Sequence, residues 1–313
     1  MVAQYNGGYG SQPQVDGKVS SCLESNLRGL KLSKGAPFLF VLLWSTGFVG
    51  AKYGLPYADP FIFLGARVLV AAIILFAIAT YLKSPIAIGL NAVSRSVLIG
   101  FFLHTCYLGG VFYSISKGLP AGVAAVVTSL QPVLVSILAV GILGEKLRAR
   151  QLFGLLLGMI GAFLVIGPSL ELDVPIVAVV AILVALIGST TATLLQKKVG
   201  SDIPLIAGTA YQYVGSGFVL MAIAVVTGGT SIQWNSRFVF SFIWLIAVLS
   251  VGAILLLLWL LNTGSTASVS SLFYLVPPAT AIEAFLLFGE KVNTQGFLGI
   301  GITALGVWLV ISS

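Results

Sequence analysis

Charge is what this chain has least of. Asp, Glu, Lys and Arg make up 8% of its 313 residues, against roughly 25% in an ordinary soluble domain. So few charges cannot cover a water-facing surface, which excludes a soluble globular protein. Histidine occurs once, as His104, so one chain cannot build a histidine metal cluster. The two cysteines, Cys22 and Cys106, give neither a disulfide framework nor metal-ligand spacing. There is no Gly-rich run closing on Lys-Ser or Lys-Thr, no Asp-rich motif and no nucleophile–base–acid set. Neither an enzyme nor an ATP-driven pump within this chain is expected, and no metal or other cofactor. A cleavable signal peptide is not expected either, since about thirty polar residues precede the first apolar run.

What is there is apolar. Hydrophobic residues are 58% of the chain. A bilayer core of about 30 Å takes about 20 helical residues at about 1.5 Å each. Ten stretches of that kind are expected as spans: 36–55, 60–82, 95–117, 120–143, 148–167, 174–197, 204–227, 237–261, 264–288 and 294–312. Backbone groups in lipid must be satisfied within the segment, so these are helices. The period-2 alternation of a β-barrel is missing from runs such as 68–76. The fold class is therefore an all-α polytopic membrane protein with membrane lipid as its first partner. Residues 1–35, rich in Gly, Ser, Asn and Gln, are expected as a disordered tail.

The net charge of +7 is a matter of sides and does not point to nucleic acid. Lys18, Arg28, Lys31, Lys34, Lys83, Arg95, Lys146, Arg148, Arg150, Lys197 and Lys198 fall on one side of the ten spans. Lys52, Lys117, Arg237 and Lys291 fall on the other. The positive-inside rule puts both termini in the cytoplasm, in a cell (inner) membrane.

Residues 118–167 recur at 263–312 after a gapless shift of 145 positions. Pro132 falls on Pro277, Gly144-Glu145-Lys146 on Gly289-Glu290-Lys291, Gly154 on Gly299 and Gly161 on Gly306. Lys52 falls on Lys197 under the same shift, so the unit covers half the chain: 36–167, then 174–312. Five spans per unit is an odd number, so the two five-helix repeats enter the membrane from opposite sides. Inverted repeats of this kind place a substrate site near mid-bilayer, between the halves.

Trp44-Ser45-Thr46-Gly47-Phe48-Val49-Gly50-Ala51-Lys52 and Phe63-Leu64-Gly65-Ala66-Arg67 resemble the first two spans of EamA-type members of the drug/metabolite transporter superfamily. Gly118-Leu119-Pro120-Ala121-Gly122, Leu130-Gln131-Pro132 and Leu143-Gly144-Glu145 are similar to its third-to-fifth-span pattern. Leu275-Val276-Pro277-Pro278 and Phe288-Gly289-Glu290 are similar to its second half. The resemblance covers 36–312. It implies a secondary transporter, most closely an amino acid exporter of the YddG kind.

Substrate-binding candidates are the polar and aromatic residues near mid-span: Trp44, Ser45, His104, Tyr107, Gln131, Thr190, Tyr211, Trp259 and Tyr274. Each has a plainer role in view. Span hydroxyls bond back to their own carbonyls, and a buried histidine packs. Pro132, Pro277 and Pro278 lack an amide hydrogen and are expected to kink their helices, freeing carbonyls toward a cavity. Arg67 and Glu283 lie at similar depth, so they either snorkel outward or pair across an outer vestibule; with His104 they are the gate or coupling candidates. Glu145 and Glu290 are expected to cap the helices that follow them. The aromatic and neutral-polar set suits small zwitterions better than phosphates, which call for Arg and Lys pairs. Export of small organic solutes, foremost aromatic or neutral amino acids and related metabolites, across the cytoplasmic membrane by alternating access around a mid-membrane cavity is the leading expectation. Efflux of amphipathic drugs, phosphate or nucleotide-sugar antiport, and a scaffold or receptor role stand behind it. Proton coupling, and monomer against dimer, stay open.

Overall fold

Every long element is a helix, and the helices keep the register of the repeat. The computed structural model describes residues 35–143, 148–166, 174–200, 202–263, 272–289 and 294–311. The tail, the Glu145 and Glu290 turns, residues 264–271 and the side chain of Trp259 lie outside the described residues. Among those described, the only strand-like pairing is one antiparallel bridge, Ala58 with Ile232.

The first half holds α1 (Ala36–Gly54), α2 (Pro60–Tyr81), α3 (Leu90–Gly100, running on through Phe101–Leu108 and Gly109–Ser116), α4 (Ala121–Thr128), α5 (Gln131–Leu143) and α6 (Ala149–Ile166). The second half holds α7 (Ile176–Val199), α8 (Leu205–Thr227), α9 (Ser236–Trp244, running on through Leu245–Ala253 and Ile254–Thr263), α10 (Val276–Phe288) and α11 (Thr294–Ile311). Shifted by 145 positions, α5 coincides with α10 and α6 with α11, end for end. Among the described residues, six segments are long and apolar enough to cross a membrane: Ala36–Tyr57, Pro60–Tyr81, Leu90–Ser116, Ile176–Val199, Leu205–Thr227 and Ser236–Leu257. Three shorter apolar helices, Gln131–Ile142, Ala149–Gly161 and Leu272–Leu287, accompany them.

Two irregularities stand out, the first of them in both halves. Phe101–Leu108 and Leu245–Ala253 are π-helical, each in the middle of a span. Widened turns of this sort are rare and gather at functional sites. The second irregularity replaces an expected kink. The fourth span does not run unbroken from 120 to 143. One helix ends at Thr128, the amides of Leu130 and Val133 reach only three residues back, and the next helix starts at Gln131. Pro132 is thus the second residue of α5, and Pro277 the second residue of α10, after a tight turn at Leu272–Leu275. A proline ring clashes with the carbonyl four residues back, but in a first turn its missing N–H costs nothing. The prolines therefore start new helices.

Packing pairs each helix with its counterpart or across the halves. Helix α6 lies along α11 and α2 along α8, while α1 packs on α9 and α7 on α3. Glycine makes the closest crossing. A Cβ on Gly161 would lie 2.5 Å from the Thr303 amide, and one on Gly306 would lie 2.5 Å from the Gly158 amide. Polarity is inverted relative to a soluble protein. Ile73, Leu286 and Phe297 are 69%, 71% and 63% exposed, whereas Ser45, Arg67 and His104 are 0%, 2% and 4% exposed. Such a surface is stable only against hydrocarbon.

Candidate substrate site

Helix α1 is cut to shape by small residues. Gly47 and Gly50 leave room for Leu249 and Leu245 of α9. Trp44 stands between Phe40 (5.2 Å between ring centres) and Phe273 (5.2 Å, edge-on). The hydroxyl of Tyr107, in the π-helical part of α3, faces the Trp44 indole and Thr128. Thr128 is the last residue of α4. Across the break, Gln131 Nε2 donates to Thr193 Oγ1 of α7 at 2.6 Å and lies 3.4 Å from the Ser189 carbonyl. The α4–α5 break is therefore ringed by Tyr107, Trp44, Gln131 and Thr193, from four helices. Beside it, Ser45 Oγ donates to Glu283 Oε1 at 2.6 Å, with the Leu42 carbonyl as the alternative acceptor at 2.9 Å. Glu283 Oε2 is buried and has no hydrogen-bond partner.

A second polar group sits where α2, α3, α8 and α9 meet. Arg67 Nε donates to Ser250 Oγ at 3.1 Å, and the guanidinium carbon is 5.8 Å from the centre of the Phe112 ring. Tyr213 donates to the Ser250 carbonyl at 3.4 Å and stacks at 4.6 Å on His104. Gln212 lies beside the histidine without hydrogen-bond geometry, and neither ring nitrogen has a partner. Arg67 and Glu283 do not pair. Depth along a helix is similar for both, but one faces α9 and the other α1.

The other candidates are elsewhere. Thr190 Oγ1 donates to the Leu186 carbonyl of its own helix at 2.8 Å. Tyr211 donates to the Ile86 carbonyl at 3.3 Å and rests edge-on against Phe76. Tyr274 is fully buried against Gly158, Val133 and Leu155, its hydroxyl without a partner. Sequence reasoning missed Thr128, Thr193, Ser250 and Gln212. The repeat register could have found two of these: Ser250 is the counterpart of Thr105, and Gln212 of Arg67.

An open cleft of about 420 Å³ lies apart from both groups, lined by residues 85 and 87–92 with Arg95, Asp202 and Pro204. Arg95 grips Asp202 with two bonds, of 3.0 and 2.9 Å, and donates to the Val199 carbonyl at 2.9 Å. The guanidinium hydrogen bonds hold the Asp202 carboxyl below its usual range.

The sequence profile of the EamA-like transporter family matches this chain twice, over residues 35–167 and again over 176–312. The chain belongs to the EamA-like transporter family. Among its relatives is a chloroplastic WAT1-related protein of Arabidopsis thaliana, 26% identical over 285 residues, with 88% of this chain and 67% of that one covered. The uncharacterized transporter YvbV of Bacillus subtilis is 24% identical, covering 86% of this chain and 88% of that one. A probable amino-acid metabolite efflux pump of Escherichia coli is 25% identical over 289 residues, covering 87% and 92%. One solved crystal structure has the same fold at a TM-score of 0.70 and 15% identity, covering 88% of this chain and 94% of that one. This EamA-like chain is thus a multi-pass membrane protein, with proteins named as a transporter and an efflux pump among its relatives.

Proposed function

We propose that this EamA-like protein exports small amino acids and related metabolites by alternating access, as two inverted five-helix repeats with both termini cytoplasmic. The observation that carries the reading is the helix break at Thr128–Gln131, with a 3-10 turn, Leu272–Leu275, standing at the equivalent position before α10. Interrupted helices in matching places of two halves mark the binding site in transporters built from repeats. Trp44, Tyr107, Gln131 and Thr193 ring one break with aromatic faces and neutral hydrogen-bonding groups, a lining suited to a small amphipathic solute. Glu283 adds a carboxylate. Its Oε1 is occupied by Ser45 and its Oε2 is free, so it is the acceptor for the solute's ammonium group. The relative named as an amino-acid metabolite efflux pump supports this solute class.

The test is counterflow in proteoliposomes. Labelled neutral amino acids are expected to exchange in a saturable, protein-dependent way, and the corresponding acids lacking the amino group are not. Glu283→Gln is expected to weaken exchange of the amino acid by roughly tenfold or more, the scale of a charged hydrogen bond. Equal exchange by wild type and Glu283→Gln removes Glu283 from the site; no exchange by wild type removes the transport reading.

A further inference from the structure

We propose that Arg67 is the cation of a small-anion site inside the membrane domain, closed by Ser250, Phe112 and the π-helical turn that carries His104 and Thr105. Arg67 is 2% exposed. Its Nε is used by Ser250, but Nη1 is buried and makes no hydrogen bond. Among the described residues no carboxylate stands within ion-pair distance of it. Glu283, with which depth alone would pair it, is turned to Ser45. A buried cation without a counter-charge is strongly disfavoured, and Phe112 and one hydroxyl supply only part of what is missing.

Three more buried polar atoms in the same region lack partners: both ring nitrogens of His104 and Thr105 Oγ1. The Ser250 hydroxyl accepts from Arg67 and still has its own proton to give. Unused capacity here is mainly for donating, from a guanidinium, an imidazole and two hydroxyls. That pattern selects an anion over a cation or an apolar group. The rings of Phe112 and Tyr213 flank the group, so the anion it takes is compact, such as chloride or the carboxylate end of an amino acid. The repeat supplies a comparison. The counterpart of Arg67 is Gln212, and the counterpart of His104 is Leu249, so only one half carries the cation. The site stands on this geometry; its assignment to the solute's carboxylate rests on the transport reading.

The experiment uses the purified full-length chain in detergent, unfolded by heat in potassium gluconate, whose anion is too bulky for the site. Potassium chloride or potassium formate then replaces gluconate at constant ionic strength. Either small anion is expected to raise the wild-type Tm, on the order of 5 °C at saturation. Arg67→Gln, which copies the counterpart residue, is expected to abolish the response, and Ser250→Ala to weaken apparent affinity by roughly tenfold. A wild-type Tm that is the same in all three salts overturns the site without recourse to any variant. A full response retained in Arg67→Gln overturns it as well.

Counterflow in gluconate and chloride vesicles separates the two sources. A response to formate, with chloride competing against amino acid exchange, assigns the site to the solute's carboxylate. A response to chloride alone, with exchange that needs chloride, assigns it to a resident inorganic anion and refutes the carboxylate. Exchange that proceeds without any anion response removes the site and leaves transport standing. An anion response without exchange removes transport and leaves the site.

Discussion

The crossing of α6 and α11 can be tested with one atom group. Substituting Gly161→Ala adds a Cβ 2.5 Å from the Thr303 amide nitrogen and hydroxyl and 2.7 Å from the Gly299 carbonyl. Ordinary contact needs about 3.5 Å, so the helices must part by about 1 Å. The amide and carbonyl atoms are backbone, which cannot rotate aside. Overpacking of this size costs about 1–3 kcal/mol, and the gain in helix propensity returns up to about 1 kcal/mol. The net loss expected is about 1–2 kcal/mol. Gly306→Ala meets the corresponding obstacle, 2.5 Å from the Gly158 amide and 2.7 Å from the Gly154 carbonyl, and is expected to cost the same. Because parting the helices for one methyl also makes room for the other, the double variant is expected to cost clearly less than the sum. Gly301 of α11, where an added methyl would meet nothing within 4 Å, is the control; Gly301→Ala is expected to be neutral or slightly stabilising. Reversible unfolding in mixed micelles reads all four. Wild-type stability for Gly161→Ala, or strict additivity in the double variant, refutes the shared close crossing.

Trp44→Ala removes the ring between Phe40, Phe273 and Tyr107 and is expected to lower counterflow by roughly tenfold at matched folded protein, the factor that about 1.4 kcal/mol of aromatic contact represents; unchanged flux makes Trp44 a packing residue. Single cysteines at Ala149 and Thr294, equivalent positions in a chain freed of Cys22 and Cys106, are expected to react from opposite sides of the membrane; labelling of both by an impermeant reagent in intact cells refutes the inversion. Asp202 is held in its charged form by Arg95. With a folded value below the unfolded one of about 3.9, its contribution is present above that value and is lost as pH falls through the folded one. The Tm gap between wild type and Asp202→Asn is therefore expected at neutral pH and should close in acid; a gap independent of pH refutes the contact.

What could be read from the sequence is what the backbone decides. The 145-position shift placed the last residues of α5 and α10 and both ends of α6 and α11 to within a residue or so, because Gly and Pro act locally, on their own φ and on hydrogen bonds a few residues away. Even there, Pro132 told of a lost N–H without telling whether the helix would bend or restart. Depth along a span was legible too, since it is a count of residues. Direction around the helix was not. Arg67 and Glu283 share a depth, but their neighbours are set by how α2, α9, α1 and α10 rotate against one another, which no single segment records. Thr190 shows the same limit from the other side. Mid-span position made it a candidate, and only the rotamer shows the hydroxyl bonded to Leu186. The Gln131–Thr193 bond was half visible, because Thr193 has Phe48 as its counterpart and so lacked the repeat signal that marked its neighbours.

The two halves share their backbone devices and differ in their chemistry. Pro132 and Pro277, the two π-helical turns, and Gly161 and Gly306 are duplicated. Arg67, His104, Gln131 and Glu283 are not; their counterparts are Gln212, Leu249, Val276 and Leu138. On the proposed reading, matching π-helical turns and crossings would let the two halves exchange conformations at little difference in energy, as alternation between two sides requires. A lining that was duplicated as well would present the same groups at both ends of the cavity. An amino acid does not match such a lining, since one end is a cation and the other an anion. A free carboxylate oxygen on α10 and a free guanidinium nitrogen on α2, neither repeated and not paired with each other, give one half the anion and the other the cation. On the proposed reading, the asymmetry of the side chains recognises the amino acid, and the symmetry of the backbone moves it.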